Sequence, residues 1–341
     1  MSKPKHILVI RFSAMGDVAL TIPALLSVAK SHPSLTFTVI TRPFFARFFP
    51  EHPQIKALGI ELDEYAGFFG LKNLVNELQA THSFDGVVDL HNVLRSKIIT
   101  SFFKRKGIER VTLDKLRGEK KLILSGKSEN RLPHVIHQYL NTFKNAGYKS
   151  DLIEGPWLDP QPTSELRDFL NSNHLQVKKE KWVGIAPFAA HEAKIWGITN
   201  TQNLIEILTS KGYKVFLFGG GQIEVDILTQ LHSTSKGVYS VAGAISFMQE
   251  LALMKQLDSL VCMDSSNMHF GCMLGIKVVS IWGATTPLLG FYPFGNEDYI
   301  VEVPQKDKKL LTLSRYGDKH AKNGYNWQDH ISMDEIVNHI G

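Results

Sequence analysis

The chain has 341 residues, enough for two domains of ordinary size, with hydrophobic and charged fractions of 43% and 21% that are typical of a soluble globular protein. The formal net charge is +5, but Lys and Arg are concentrated in residues 97–131, which indicates either a basic surface for an acidic partner or a solvated face without one. The sequence lacks zinc-finger spacing, a helix-turn-helix pattern and interleaved basic and aromatic residues, which argues against a nucleic-acid partner.

The first residues lead directly into an apolar strand and do not resemble a signal peptide. Because no apolar run approaches membrane-spanning length, we expect a cytoplasmic protein. Cys262 and Cys272 have no further ligands at metal spacing and are expected to be buried thiols.

Strands and helices alternate in the first half, which predicts a doubly wound parallel sheet. The predicted strands are residues 7–10, 37–41, 86–90, 107–114 and 122–124, the predicted helices are 18–30, 71–81 and 134–146, and 115–121 is a charged loop. Thr21 and Pro23 predict either a kink in the first helix or a later start. Three prolines within residues 155–162 indicate a domain linker.

The second half repeats the alternation. Its predicted strands are residues 182–186, 214–218, 238–243, 260–262 and 277–282, and its predicted helices are 201–210, one after the glycines at 219–221, 247–255, one beginning near Ser266, and 332–340. The glycines at 219–221 do not complete a dinucleotide-binding fingerprint, because Glu224 occupies the position of its last glycine.

Residues 257–287 form the most informative stretch, which reads as strand, polar loop, helix, strand and loop. Loops at the carboxyl ends of parallel strands line the ligand crevice of such sheets. A helix N-terminus there attracts an anion, while Asp264 can accept hydrogen bonds from hydroxyls, so the stretch suggests a phosphate beside a sugar. Ser265 and Ser266 are also ordinary N-cap residues, and simple helix capping is the alternative interpretation.

Four motifs, in this order, resemble glycosyltransferase family 9, which contains the ADP-heptose:lipopolysaccharide heptosyltransferases. They are Arg11-x-Ser13-x-x-Gly16-Asp17, the loop at 187–196 with Lys194, the glycine turn followed by Glu224, and Asp264-Ser265-Ser266-x-x-His269 followed by Trp-Gly-Ala-Thr-Thr-Pro at 282–287. The resemblance covers nearly the whole chain and implies the α/β GT-B architecture, with two Rossmann-like doubly wound domains facing across a cleft.

The resemblance also implies a role for each matched residue. Asp17 matches the general base, which removes the acceptor proton in an inverting displacement. Lys194, Ser265 and Ser266 match the contacts to the diphosphate, Asp264 and Glu224 would hold hydroxyls, and His269 would contact the ligand or support the loop. The acceptor would lie near the remaining polar residues that follow the first-half strands, which are Arg11, Ser13, Asp89, His91 and Arg95.

The resemblance and the charge pattern together predict a metal-independent enzyme without a cofactor, since no Asp-x-Asp motif is present. Its donor would be ADP-heptose and its acceptor an acidic glycolipid of the lipopolysaccharide core at the inner face of the cytoplasmic membrane. The family motif commonly has Thr-Gly after the aspartate, where this chain has Ser265 and Ser266. A transferase of another nucleotide sugar, a sugar-nucleotide epimerase of the same architecture and a non-catalytic nucleotide-sugar binder remain alternatives.

The predicted domains are an acceptor-binding domain at residues 1–155, a linker at 156–180 and a donor-binding domain at 181–325. Residues 326–341 are predicted to form a terminal helix that returns toward the first domain.

Overall fold

The computed structural model describes residues 5–233, 236–314, 317 and 324–341. These residues divide into two units, the first comprising Met1–Arg117 and Pro133–Trp157, and the second comprising Gly118–Leu132 and Leu158–Gly341. The chain therefore leaves unit 1 for residues 118–132, which the sequence analysis had placed in the first domain. The predicted linker at 156–180 contains a helix, Ser164–Ser172.

Unit 1 is built on a five-stranded parallel sheet with the strand order β3-β2-β1-β4-β5. Its strands are β1 (Lys5–Ile10), β2 (Leu35–Thr41), β3 (Ile55–Gly59), β4 (Gly86–Asp89) and β5 (Glu109–Thr112). The helices in this part of the chain are α1 (Met15–Ala19), α2 (Thr21–Ser31), α3 (Pro43–Ala46), α4 (Gly67–Thr81), α5 (Leu94–Arg105), α6 (Arg117–Leu124) and α7 (Val135–Asn145). The central β1 is apolar along its last four residues, all buried, because helices cover both faces of a parallel sheet.

Unit 2 is built on a six-stranded parallel sheet with the order β11-β10-β9-β6-β7-β8. Its strands are β6 (Trp182–Ala186), β7 (Lys214–Leu217), β8 (Val238–Ser240), β9 (Ser259–Met263), β10 (Lys277–Trp282) and β11 (Ile300–Glu302). Its remaining helices are α8 (Ser164–Ser172), α9 (Ile198–Ser210), α10 (Gln222–Ser233), α11 (Phe247–Met254), α12 (Ser266–Leu274) and α13 (Met333–Ile340). The alternation of strands and helices in the sequence predicted parallel α/β sheets in both halves, and the structure confirms this.

The first helix of unit 1 is interrupted, which resolves the choice between a kink and a later start. α1 ends at Ala19, Leu20 separates it from α2, and α2 begins at Thr21. Pro23 falls in the first turn of α2, where the missing N–H of proline removes no helical hydrogen bond.

The prediction for residues 115–124 was wrong, because a charged loop and a short strand were expected and most of the segment is the helix α6. Leu122 is exposed while Ile123 is buried, and Glu, Lys and Leu are all good helix formers. Three adjacent apolar residues do not by themselves distinguish a strand from part of a helix. The strand β3 was not predicted.

The terminal helix α13 packs in unit 2. Its Ile336 and Ile340 are buried in the hydrophobic core that includes Val183, Val261 and Trp327. Cys262 and Cys272 are buried free thiols, as predicted, and burial raises the pKa of both, that of Cys272 to about 12. Every helix in the described part of the chain is too short or too polar to span a bilayer.

Gly283, in the loop after β10, is a glycine because a tryptophan occupies the space a side chain would need. A Cβ atom built on Gly283 would lie 2.0 Å from Cδ2 of Trp327, whose side chain is in the core of unit 2. The Trp-Gly pair of the motif is thus explained at this position by close packing.

We expect Gly283→Ala to lower the free energy of unfolding by roughly 1–3 kcal/mol, because the added methyl group displaces Trp327 from a filled core. The measurement is denaturant unfolding followed by tryptophan fluorescence. Gly118→Ala in α6 is the matched control, since a Cβ there meets no atom within 4 Å and should leave stability unchanged or raise it by up to about 1 kcal/mol. Equal stability of the two variants would contradict the packing explanation.

Candidate active site

All predicted site residues except Glu224 end or follow the strands at which each sheet reverses its strand order. In unit 1, β1 lies between β2 and β4, and in unit 2, β9 and β6 are neighbours with the later strands added outward on either side. At such a switch point the loops after adjacent strands diverge and leave a crevice at the carboxyl ends. The crevice of unit 1 is bounded by the loops after β1 and β4, and that of unit 2 by the loops after β6 and β9.

An ion pair between Arg11 and Asp17 organises the loop after β1. Arg11 Nη2 lies 2.7 Å from Asp17 Oδ2, and the two side chains are 5% and 15% exposed. Arg11 Nη1 donates to the carbonyl oxygen of Leu90 at 2.5 Å, which ties the loop to the end of β4. Asp17 Oδ2 also accepts from the backbone N–H of Ala14 at 3.2 Å. The carboxylate of Asp17 is therefore fixed at the crevice with a small part of its surface open.

Arg11 was predicted to contact the acceptor, but its side chain is bonded to other groups of the protein. Burial disfavours its charge, yet the neighbouring Tyr139, Asp17 and Asp89 outweigh that effect and raise the pKa of Arg11. Because two of its nitrogens are bonded to Asp17 and Leu90, the structure gives Arg11 the role of holding Asp17.

Asp89 is fully buried at the end of β4 and holds the next loop. Its Oδ1 accepts from the backbone N–H groups of His91 and Asn92, both at 2.9 Å, and its Oδ2 accepts from Ser96 Oγ at 2.8 Å. The predicted acceptor residue Asp89 is 0% exposed. Its carboxylate therefore holds the loop that borders the crevice and is not itself open to a ligand.

His91 connects the two loops of the unit 1 crevice. Its Nε2 lies 3.3 Å from Ser13 Oγ, within hydrogen-bond distance. Burial, reinforced by the positive charges of Arg11 and Lys115, lowers the pKa of His91 to about 3. The imidazole is therefore neutral near pH 7 and can exchange hydrogen bonds with a ligand without carrying charge. Arg95, in the first turn of α5, is half-buried beside this loop.

In unit 2, Lys194 and Asp264 meet at the switch point. Lys194 ends a short 3₁₀ helix, Glu192–Lys194, in the loop after β6, and Asp264 directly follows β9. Lys194 Nζ lies 2.6 Å from Asp264 Oδ2, and each side chain is 13% exposed. Because β6 and β9 are adjacent parallel strands, two residues 70 positions apart in sequence are brought into contact. This pair joins two of the predicted motifs.

The N-terminus of α12 presents an unused hydroxyl next to that pair. Ser265 is the N-cap residue of α12 but makes no side-chain capping bond, and its buried Oγ has no hydrogen-bond partner among the described residues. Ser266 begins the helix, which is nine residues long and buried from Met268 to Leu274. A buried hydroxyl beside free backbone N–H groups and an ammonium group is suited to an anionic oxygen.

The other two predicted donor residues have structural contacts. Glu224 lies in the first turn of α10, and its Oε2 accepts from the backbone N–H of Gly220 at 2.7 Å. His269 is on the buried side of α12 and 6% exposed, which favours loop support over ligand contact. Both residues were predicted from motif positions.

Tyr139 was missed by the sequence analysis. Its hydroxyl donates to the backbone oxygen of Asp17 at 3.2 Å across 122 positions of sequence. Tyr139 belongs to the apolar face of an amphipathic helix, and nothing local distinguishes it from its buried neighbours.

Among the residues that the structure describes, no group of three or more His, Cys, Asp and Glu side chains could hold a metal ion.

Comparison with known proteins identifies the family. The model described as "Glycosyltransferase family 9 (heptosyltransferase)" matches residues 72–317. Lipopolysaccharide heptosyltransferase 3 of Escherichia coli is 24% identical over an alignment of 318 residues that covers 86% of this chain and 89% of that protein.

Solved structures show the same fold. A family 9 glycosyl transferase from Veillonella parvula DSM 2008 gives a TM-score of 0.77 at 19% identity and covers 99% of this chain and 96% of its own. The E. coli heptosyltransferase WaaC, solved with ADP and with ADP-2-deoxy-2-fluoro heptose, gives a TM-score of 0.66 at 18% identity. The match covers 90% of this chain and 96% of the WaaC chain. These neighbours confirm the GT-B class. With a family match over most of its length, the chain belongs to glycosyltransferase family 9 (heptosyltransferase) and is a glycosyltransferase.

Proposed function

We propose that this enzyme is an inverting, metal-independent heptosyltransferase that transfers heptose from ADP-heptose to the inner core of lipopolysaccharide. The observation that carries the proposal is that both switch-point crevices hold a positioned ion pair from the predicted motifs, Arg11–Asp17 in unit 1 and Lys194–Asp264 in unit 2. Membership of a glycosyltransferase family favours glycosyl transfer over the epimerase and the non-catalytic binder.

The donor would bind in unit 2 through its diphosphate. The ammonium group of Lys194, the unpartnered hydroxyl of Ser265 and the N-terminus of α12 are three groups that attract phosphate oxygens. As the bond between the anomeric carbon and the phosphate oxygen breaks, negative charge grows on the leaving diphosphate. Lys194 would stabilise that charge, in the place a divalent cation takes in other sugar transferases.

The acceptor hydroxyl would be deprotonated by Asp17. In a single displacement the carboxylate takes the proton while the acceptor oxygen bonds to the anomeric carbon from the face opposite the leaving diphosphate, which inverts the configuration. The neutral His91 supports this assignment, because it can orient a hydroxyl while it stays uncharged near pH 7. We propose ADP and heptose because the related proteins include lipopolysaccharide heptosyltransferases and a heptosyltransferase solved with ADP.

The first experiment is calorimetric titration of the protein with ADP, UDP, GDP and CMP in the presence of a chelator. We expect ADP to bind preferentially and without metal.

Lys194→Gln should weaken ADP binding at least tenfold, because it removes the charge that contacts the diphosphate. The matched control is Lys211→Gln, an exposed lysine at the end of α9. Preferential binding of another nucleotide would overturn the ADP-heptose assignment.

Asp17→Asn should lower kcat by about 10²- to 10⁴-fold while the dissociation constant for ADP stays unchanged, because an amide cannot take the acceptor proton. Single-turnover kinetics with a core acceptor and calorimetry separate the two effects. Retention of turnover by Asp17→Asn would refute the base assignment.

We also propose that the enzyme works at the cytoplasmic face of the membrane, where residues 97–131 would contact acidic glycolipid. Lys97, Lys104 and Lys106 are exposed in the part of this segment that belongs to unit 1. The triple change to Gln should weaken binding to anionic vesicles about a hundredfold at low salt, since each surface lysine contributes about 1 kcal/mol.

The control for the vesicle experiment is the triple change of Lys30, Lys56 and Lys211, which are exposed elsewhere, to Gln. Because the net charge falls equally in both triple variants, only a local effect separates them. Equal binding by the two variants would show that the 97–131 segment has no special role at the membrane.

A further inference from the structure

Tyr139 reaches the catalytic loop of unit 1 from a distant helix. It lies in α7, its side chain is fully buried, and its hydroxyl donates to the backbone oxygen of Asp17 at 3.2 Å. The Arg11 guanidinium carbon lies 5.9 Å from the centre of the Tyr139 ring, within the range of a cation–π contact. Tyr139 therefore touches both members of the Arg11–Asp17 pair.

The helix that carries Asp17 needs such support. α1 has only five residues and ends at Ala19, before the interruption at Leu20. A helix this short has little stability of its own, so its orientation depends on contacts with the rest of the unit. One further contact is local, because Thr21 Oγ1 donates to the backbone oxygen of Val18 at 2.7 Å. The bond from Tyr139 is long-range and acts on the backbone of Asp17 itself.

The two contacts hold opposite ends of the aspartate. Arg11 fixes the carboxylate at 2.7 Å, while Tyr139 fixes the backbone. Arg11 is held in turn by the carbonyl oxygen of Leu90 and by the face of the Tyr139 ring. Loss of the tyrosine hydroxyl would remove the bond to the Asp17 backbone and leave the carboxylate held by Arg11 alone.

We propose that Tyr139 is a positioning residue for the proton transfer by Asp17, acting on the Asp17 backbone and on Arg11. The inference rests on the proposed role of Asp17 as the base. Catalysis by a positioned base is sensitive to displacements of about 1 Å, which can cost about a hundredfold in rate. Donor binding, which the proposed function assigns to unit 2, is expected to be independent of Tyr139.

The test is Tyr139→Phe, which keeps the buried ring and removes only the hydroxyl. We expect kcat to fall about ten- to a hundredfold, with the dissociation constant for ADP and the melting temperature close to those of the wild type. Tyr148→Phe is the matched control, a half-buried tyrosine of the same unit whose ring contacts His32. A wild-type kcat for Tyr139→Phe, or an equal loss in Tyr148→Phe, would overturn the proposal.

A double variant distinguishes positioning of Asp17 from a general effect on the fold. If Tyr139 acts through Asp17, Asp17→Asn/Tyr139→Phe will be no slower than Asp17→Asn alone, because the group being positioned is already disabled. Additive losses would show that Tyr139 acts by another route. If Asp17→Asn is inactive and Tyr139→Phe is normal, only this inference fails; if Asp17→Asn keeps full turnover, the base assignment fails with it.

Discussion

Parallel strands place every loop that follows a strand at one edge of the sheet, and the reversal of strand order decides which of those loops meet. In unit 1 the reversal brings the residues after β1 beside those after β4, so that Arg11 can donate to Leu90 and Ser13 can approach His91. In unit 2 it brings Lys194 and Asp264 together. The Lys194–Asp264 pair depends directly on this arrangement, because its partners belong to loops that are far apart in sequence.

Both ion pairs are largely removed from water, which makes stability a poor explanation for their presence. Desolvating two charges costs about as much as their attraction returns, and apolar replacements of similar volume are often equally stable. Once a pair is formed, however, loss of one partner leaves the other charge buried and uncompensated. Arg11 and Lys194 are therefore better understood as groups that hold or present charge at a crevice, at some cost to the fold.

Most strands and helices were predictable because their signal is local, although β3 and β11 were not predicted. The apolar run at residues 7–10 was correctly predicted as a strand, and the apolar run before Asp264 as a strand followed by a helix. The segment at 117–124 was not predictable, because three apolar residues after a charged stretch fit either element. Motif residues were found in the right loops, yet the engagement of Arg11 with Asp17 and the burial of Asp89 depend on tertiary contacts. Tyr139 had no sequence signal at all.

The composition of the unit 2 core affects the order in which the two units can fold during synthesis. Trp327, Ile336 and Ile340 complete that core, and Trp327 lies against the loop after β10. Unit 1 needs nothing beyond Trp157. On the ribosome, unit 1 can therefore begin to fold once Trp157 has emerged, whereas unit 2 stays incomplete until α13 has been synthesised. During that interval the apolar strands of unit 2 lack part of their core, which leaves them open to aggregation.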